Sequence, residues 1–259
     1  PPQEIMADAH SLVEKGAKEI TLLGQIVDRY GQDQEGYPSL SDLLREMHSI
    51  EGLERIRFLT SHPKYMPEEL LDTVAELPKV MPHFELPIQA GDDQVLANMR
   101  RGYTAEQYLK LVDKIHQRFD VVSIAIDLIV GFPGETAAQF EQSVNILETM
   151  RPDMTHVARY SPRPGTLSTR TMPDDVPDEE KWRRFRVIED LQEKITAEIN
   201  QSYLGRKTPV LFEGKAKGRW RGRTPTNKLV FVETEEDLLG QIRDVTVTWA
   251  GPWSMIASV

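Results

Sequence analysis

The chain has 259 residues, 39% of them hydrophobic, with a net charge of −10 and no cysteine. That length buries a full core, enough for one large domain plus a small one, and no apolar run approaches the ~20 residues of a membrane span. Without cysteine, these residues hold no disulfide and offer no thiolate to a metal ion or an iron–sulfur cluster.

The charge is uneven. From Gly205 onward nine Lys/Arg stand against six Asp/Glu, a net of +3, so the residues before it carry −13. An acidic body with a basic tail points to the tail as the part that approaches a polyanion, solvated charge being the plain alternative.

The opening "PPQEIMADAHSLVEKG" has Pro early in an amphipathic helix and no leader pattern, which suits a soluble cytoplasmic protein. A helix over 3–15 is followed by a strand in "EITLLG" (19–24). Ser39 is placed to cap a helix over 39–50, and "RIRFLT" (55–60) reads as a strand. Pro67 starts a helix over 66–77, and "HFELPIQ" (83–89) is a short strand. Two helices follow, "DQVLANM" and "TAEQYLKLVDKIHQRF", the second with Thr104 as cap and Glu106 close by. The apolar run 123–130 is a strand buried on both faces, 137–149 a helix, and "MTHVARY" (154–160) a strand. Repeated βα units imply a parallel sheet wrapped by helices, and five strands are too few for a closed eight-stranded barrel.

Residues 161–180 are rich in Pro, Asp and Thr and read as a loop. One long helix covers 178–204, stopped by Gly205. From 207 to 259 short strands with Gly and Asn punctuation indicate a small antiparallel barrel.

In parallel α/β architectures ligands bind at the carboxyl ends of the strands. The five ends here are Gly24-Gln25, Ser61-His62-Pro63, Gln89-Ala90-Gly91-Asp92, the turn Gly131-Phe132-Pro133-Gly134-Glu135-Thr136, and Ser161 to Thr166. Together they outline one shared pocket, although loops need Gly and Pro anyway. His62 reads either as a histidine held by the backbone or as a metal ligand, and no second ligand stands at suitable spacing. Asp127, in the middle of an apolar strand, either caps a neighbouring loop or meets a ligand. Gln89 donates and accepts, which suits a ribose or an amide. Arg100-Arg101 is either surface charge or a phosphate contact.

In the tail, Lys215, Lys217, Arg219, Arg221 and Arg223 alternate with glycines around Trp220. Cations in a flexible turn follow phosphates and an indole stacks on an unpaired base, so RNA is favoured over a solvated hairpin.

"TLLGQ", "TSHP", "LPIQAGDDQVLANMRRGYT", "DLIVGFPGET", "YSPRPGT" and "GRTPTNKLVFVE" together resemble the radical S-adenosylmethionine methylthiotransferases, in particular the branch that modifies tRNA. The resemblance covers essentially the whole chain. It implies an α/β fold: a partial (β/α)6 barrel lacking its first strand (1–176), a connecting helix (177–205) and a small all-β TRAM barrel that binds RNA (206–259). By the same resemblance Gly24, Gln25, Gln89, Asp127, Gly131, Phe132, Pro133, Tyr160 and Arg163 border S-adenosylmethionine, and Lys215 to Arg223 meet tRNA.

Full family members carry two [4Fe–4S] clusters, one in an N-terminal domain and one on a CxxxCxxC loop. This cysteine-free chain begins where the family would just have left that loop, so the resemblance implies an inactive fragment. The implied reaction of the parent is 2-methylthiolation of N6-isopentenyladenosine beside the tRNA anticodon, started by a 5′-deoxyadenosyl radical, with an electron donor and a sulfur source as partners. The alternatives are a relative acting on threonylcarbamoyladenosine in tRNA, one acting on a ribosomal-protein aspartate, and a non-catalytic RNA-binding protein.

Overall fold

The computed structural model describes residues 1–32 and 34–259. Five parallel strands form its first part: β1 (Glu19–Leu22), β2 (Arg55–Phe58), β3 (His83–Glu85), β4 (Ser123–Val130) and β5 (Met154–Arg159). β1 pairs with β2, and β3, β4 and β5 pair in that order. A bridge from Ile56 to Val80 and the bond from Ser61 N–H to Glu85 O (3.2 Å) carry the array across the gap between β2 and β3. The strand expected over 83–89 is interrupted, because Pro87 has no N–H to give. Leu86 bonds Ala125 O and Gln89 bonds Asp127 O, so three steps on one side face two on β4.

The helices α1 (Pro2–Glu14), α2 (Leu40–His48), α3 (Glu68–Glu76), α4 (Asp93–Asn98), α5 (Ala105–Arg118) and α6 (Ala137–Met150) separate these strands. Reciprocal capping boxes start three of them: Ser39 with Asp42, Thr104 with Gln107, and Thr136 with Gln139. The partner of Thr104 is therefore Gln107, three residues on, and not Glu106. Within the segment read as a loop lies a short helix, α7 (Leu167–Thr171), before the long α8 (Asp178–Gln201).

The β2 alternation sets up the architecture. Ile56 and Phe58 join the main apolar core, while Arg55 and Arg57 lie on the opposite, inner face. The register puts Glu19 and Thr21 of β1 beside them, and His83 and Glu85 pair with Ser123 and Ala125 further along. That inner face is polar.

Residues 207–258 form a closed barrel of β6 (Lys207–Ala216), β7 (Arg219–Arg223), β8 (Leu229–Val232), β9 (Ile242–Ala250) and β10 (Met255–Ser258). Two expectations change here. The barrel is mixed, because β10 runs parallel to β8. The basic stretch is also an ordered β-hairpin: Lys215 ends β6, Lys217 and Gly218 form the turn (φ 50 and 81), and Arg219 to Arg223 are β7. Its alternation sends Trp220 and Gly222 inward and the arginines outward, and a Cβ at Gly222 would lie 2.5 Å from Leu211 O. Trp220 is buried among Val210, Phe212 and Val232, with its indole N–H donating to Glu236 O at 2.8 Å.

The barrel docks under the inner face through the loop after β7. Arg55 donates to the carbonyls of Arg223 (2.6 Å) and Pro209 (3.2 Å), and Arg57 to those of Pro225 (2.8 Å) and Thr224 (2.9 Å). Lys228 reaches Asp153 at 2.6 Å. The Ser123 hydroxyl donates to Thr226 O (2.9 Å) and therefore accepts from His83 Nδ1 (2.7 Å), while His83 Nε2 accepts from Asn227 Nδ2 (3.3 Å). Protonating the ring would put a hydrogen on the nitrogen that Asn227 faces.

Burial, reinforced by Arg57, Lys228 and Arg223, holds His83 down at about 3, against an ordinary 6.5. Between these values the unfolded chain binds a proton that the folded chain refuses, so this contribution is intact above pH 6.5 and lost as pH falls toward 3. Asp28, pushed by burial up to about 6, acts in the opposite sense, its contribution being lost as pH rises through 6. Substituting His83→Gln should flatten the acid side of a urea-stability profile between pH 6 and 4 by up to about 1.4 kcal/mol per pH unit. An unchanged slope would contradict the neutral His83.

Candidate functional site

The carboxyl ends of the strands carry the candidate site. A cavity of about 430 Å³ opens there, bounded by the end of β3, the loop after α4, the upper part of β4, and the β5–α7 connection. Gln89, Phe132, Tyr160 and Arg163 line it, together with Ile129 and Ser168. Gln89 holds a left-handed backbone (φ 74), a conformation costing about 1–3 kcal/mol in a non-glycine residue. Its own N–H and C=O lock it into that shape by bonding Asp127 O (2.9 Å) and Ile129 N–H (3.0 Å). Tyr160 packs edge-on against Phe132 (5.3 Å between centroids) and donates to Ser168 Oγ (3.2 Å).

Asp127 lies two residues below Ile129 on the same inner face of β4, level with His156 of β5. Its carboxylate has no side-chain hydrogen bond among the described residues. Glu85 is close enough that the Asp127 charge adds to burial in raising the Glu85 carboxyl. Gly24 and Gln25 stand at the end of β1 and do not wall the cavity; the Thr60 hydroxyl donates to Gly24 O. Thr60 is itself left-handed (φ 63), and the Ser61 hydroxyl is buried without a partner. Nothing local in the sequence distinguished Thr60 or Ser61 beyond their place at a strand end.

The turn after β4 proves to be mainly a clamp. Gly131 has φ 72, and a Cβ there would sit 2.3 Å from Lys181 Cγ, so only glycine lets α8 approach. Gly131 N–H donates to Glu135 Oε2 (2.6 Å), which also takes Arg184 of α8 at 2.8 Å. Lys181 is buried, with Nζ on Asp174 at 2.6 Å and 5.5 Å from the Tyr160 ring centroid. Gly131 and Pro133 thus stand behind the cavity wall, and of this turn only Phe132 reaches it.

His62 is held as a neutral ring. Its backbone N–H donates to Asp28 Oδ2 (3.0 Å), its ring packs on Tyr65 and Tyr103, and burial lowers it to about 4. Among the described residues no group of three His, Asp or Glu side chains is arranged to hold a metal ion.

In the barrel, Lys215 reaches over the Trp220 ring at 4.6 Å, and Arg219 and Arg221 lie within 3.8 Å and 3.9 Å of Glu233 and Glu213. Trp220 offers no face to a base, because strand alternation has buried it. Arg223 turns toward the docking loop, donating to Asn227 O at 3.1 Å.

A strand array with its ligand cavity at the carboxyl ends, joined to a closed five-stranded barrel, is matched by two family profiles. The Radical SAM superfamily covers residues 1–147, and the chain belongs to it; the TRAM domain covers residues 201–259. A tRNA-2-methylthio-N(6)-dimethylallyladenosine synthase of Roseiflexus sp. (strain RS-1) is 50% identical over 98% of this chain and 54% of its own length. One from Herpetosiphon aurantiacus is 49% identical over 98% of this chain and 58% of its own. The chain thus spans about half the length of the curated relatives it matches. Among solved structures, coproporphyrinogen III oxidase (HemN) from Escherichia coli superposes with a TM-score of 0.53 at 16% identity, over 75% of this chain and 46% of that one. The methyltransferase TsrM from Kitasatospora setae gives 0.51 at 16% identity, over 85% of this chain and 36% of that one. These two likenesses concern the fold. With no cysteine, this chain ligates no iron–sulfur cluster, and no helix among the described residues is long and apolar enough to cross a membrane.

Arg184→Ala would strand Glu135, whose side chain is 1% exposed and whose Oε1 already lacks a partner. We expect a loss of about 3–5 kcal/mol in urea unfolding, and a smaller loss for Glu135→Gln/Arg184→Leu, which leaves no buried charge unpaired. Equal losses for the two variants would show that the pair does not act as a unit.

Proposed function

We propose that this chain is the cofactor- and RNA-orienting part of a tRNA methylthiotransferase that acts on N6-isopentenyladenosine beside the anticodon, in the cytoplasm. The observation that carries this reading is the 50% identity, across 98% of the chain, to a relative named for that modification. A sulfur source and an electron donor belong to the same reading as partners of the parent enzyme.

S-adenosylmethionine fits the inner face. It carries a sulfonium and an ammonium against one carboxylate, and Asp127 offers a half-buried carboxylate with no hydrogen bond among the described residues, beside Glu85. At the end of β1 the Gln25 amide makes no hydrogen bond among the described residues, whereas the Gly24 carbonyl already accepts from Thr60. Gln89 is fixed by its backbone to present its amide at the cavity, and Tyr160 with Phe132 supplies an apolar wall for a purine. When bound, the cofactor supplies the capacity to break an inert C–H bond, which side-chain acids and bases lack. These residues bind and orient it, and the cavity walls limit water. Cluster ligation is no part of their role.

On the barrel, Lys215, Lys217, Arg219 and Arg221 project from an exposed surface that suits backbone phosphates. In a fluorescence-anisotropy titration of an anticodon stem-loop with the chain, Arg219→Ala/Arg221→Ala should lower the slope of log K against log salt by about two units. Trp220→Phe should leave affinity and slope unchanged, since the indole lies in the core. Matching slopes for the double variant and the wild type would remove the barrel from the RNA contact.

A further inference from the structure

The cavity at the strand ends has an unusual charge for this protein. Residues 1–204 carry −13, yet the cavity lining contains Arg100, Arg101, Arg159 and Arg163 and no Asp or Glu. None of the four has a carboxylate within 4.0 Å among the described residues, although ten other arginines do. Their contacts orient them without neutralising them. Arg159 stacks on the Trp182 ring at 3.7 Å, and Arg101 Nε donates to Tyr103 Oη at 3.3 Å. Arg100 and Arg163 are exposed, and Arg100 is held in a left-handed backbone (φ 58) just after α4.

Strand alternation turns Arg159, like Thr155, toward α8, which leaves the unpaired guanidinium groups of Arg100, Arg101 and Arg163 at the cavity; they repel one another, a cost that an incoming anion reverses. The planar donor fork of arginine matches phosphate oxygens in pairs. S-adenosylmethionine is a poor match for this rim, because its net charge is positive. The cofactor suits the carboxylates of Glu85 and Asp127 deeper on the inner face instead. The inner face is thus divided, acidic toward the middle of the strands and basic at their ends.

We propose that Arg100, Arg101 and Arg163 form a phosphate clamp that takes RNA backbone on either side of the nucleotide entering the cavity. The clamp rests on the tRNA reading above, deepens it, and takes Arg163 from the cofactor to the RNA. It gives the RNA a second anchor, separate from the barrel, at the place where the target base must be presented.

The test uses Arg100→Gln/Arg163→Gln. Both side chains are exposed and unpaired, so the thermal midpoint should stay unchanged. Stem-loop binding to the 259-residue chain, followed by anisotropy from low to moderate KCl, should weaken about tenfold at low salt with a slope lower by about two units. Lys110→Gln, which removes one charge from the exposed Glu106 pair on α5, should leave the slope unchanged. Excess S-adenosylmethionine should not displace the stem-loop from the wild type. Unchanged affinity and slope in the double glutamine variant would overturn the clamp, as would displacement by S-adenosylmethionine, which would return the arginines to the cofactor carboxylate. Absence of stem-loop binding by the wild type at low salt would overturn the tRNA reading itself.

Discussion

Arg55 and Arg57 bring two full charges into a region almost without water, and the relation between the two parts of the molecule follows from how those charges are satisfied. Burial lowers Arg55 to about 10 and lowers Arg57 as well, because the charged form loses its water there. The compensation is geometric. Each guanidinium fork meets two backbone carbonyls of the C-terminal barrel, and Arg57 also holds Glu19 at 3.0 Å. Carbonyls are fixed acceptors, so the barrel is held in position and orientation together.

This docking gives the loop Thr224 to Lys228 a structural role, while its strand neighbours keep their charges outside. One short segment thus separates two kinds of work: β7 displays Arg219 and Arg221, and the loop after it closes the lower side of the inner face. At the opposite ends of the strands, α8 does the complementary task. Its Lys181 and Arg184 enter the turn after β4 and hold Phe132 and Tyr160 against the cavity. The site is therefore fixed from behind by α8 and from below by the barrel, and its mouth is left open.

Much of this order was legible in the sequence. The βα alternation and the caps at Ser39 and Thr104 came from apolar spacing and local side-chain chemistry, which act over a few residues. Gln89, Phe132 and Arg163 stood at strand ends, where such folds gather ligands, and Tyr160 came from the family resemblance; the four line one cavity. What stayed hidden depends on distant partners. "RIRF" reads as a strand, and nothing within it shows that its arginines are buried by carbonyls more than 150 residues further on. Alternating glycine and arginine disguised β7, so Trp220 looked displayed when the strand period turns it inward. Gly131 looked like a cofactor contact, but the need it meets is the close approach of Lys181. Arg159 ends β5 beside the cavity, yet its guanidinium turns to Trp182 of α8, and a contact between strand and distant helix leaves no local signature.

Native-state hydrogen exchange in the wild type and Arg57→Ala tests this docking most directly. If the guanidinium–carbonyl docking couples the two parts, the slowest amides of β4 and β9 should open with the same free energy and denaturant slope in the wild type. They should separate in Arg57→Ala, by up to about 3–5 kcal/mol, as the less stable part begins to open alone. Amides of β4 and β9 that already differ in the wild type, or that stay together in the variant, would contradict it.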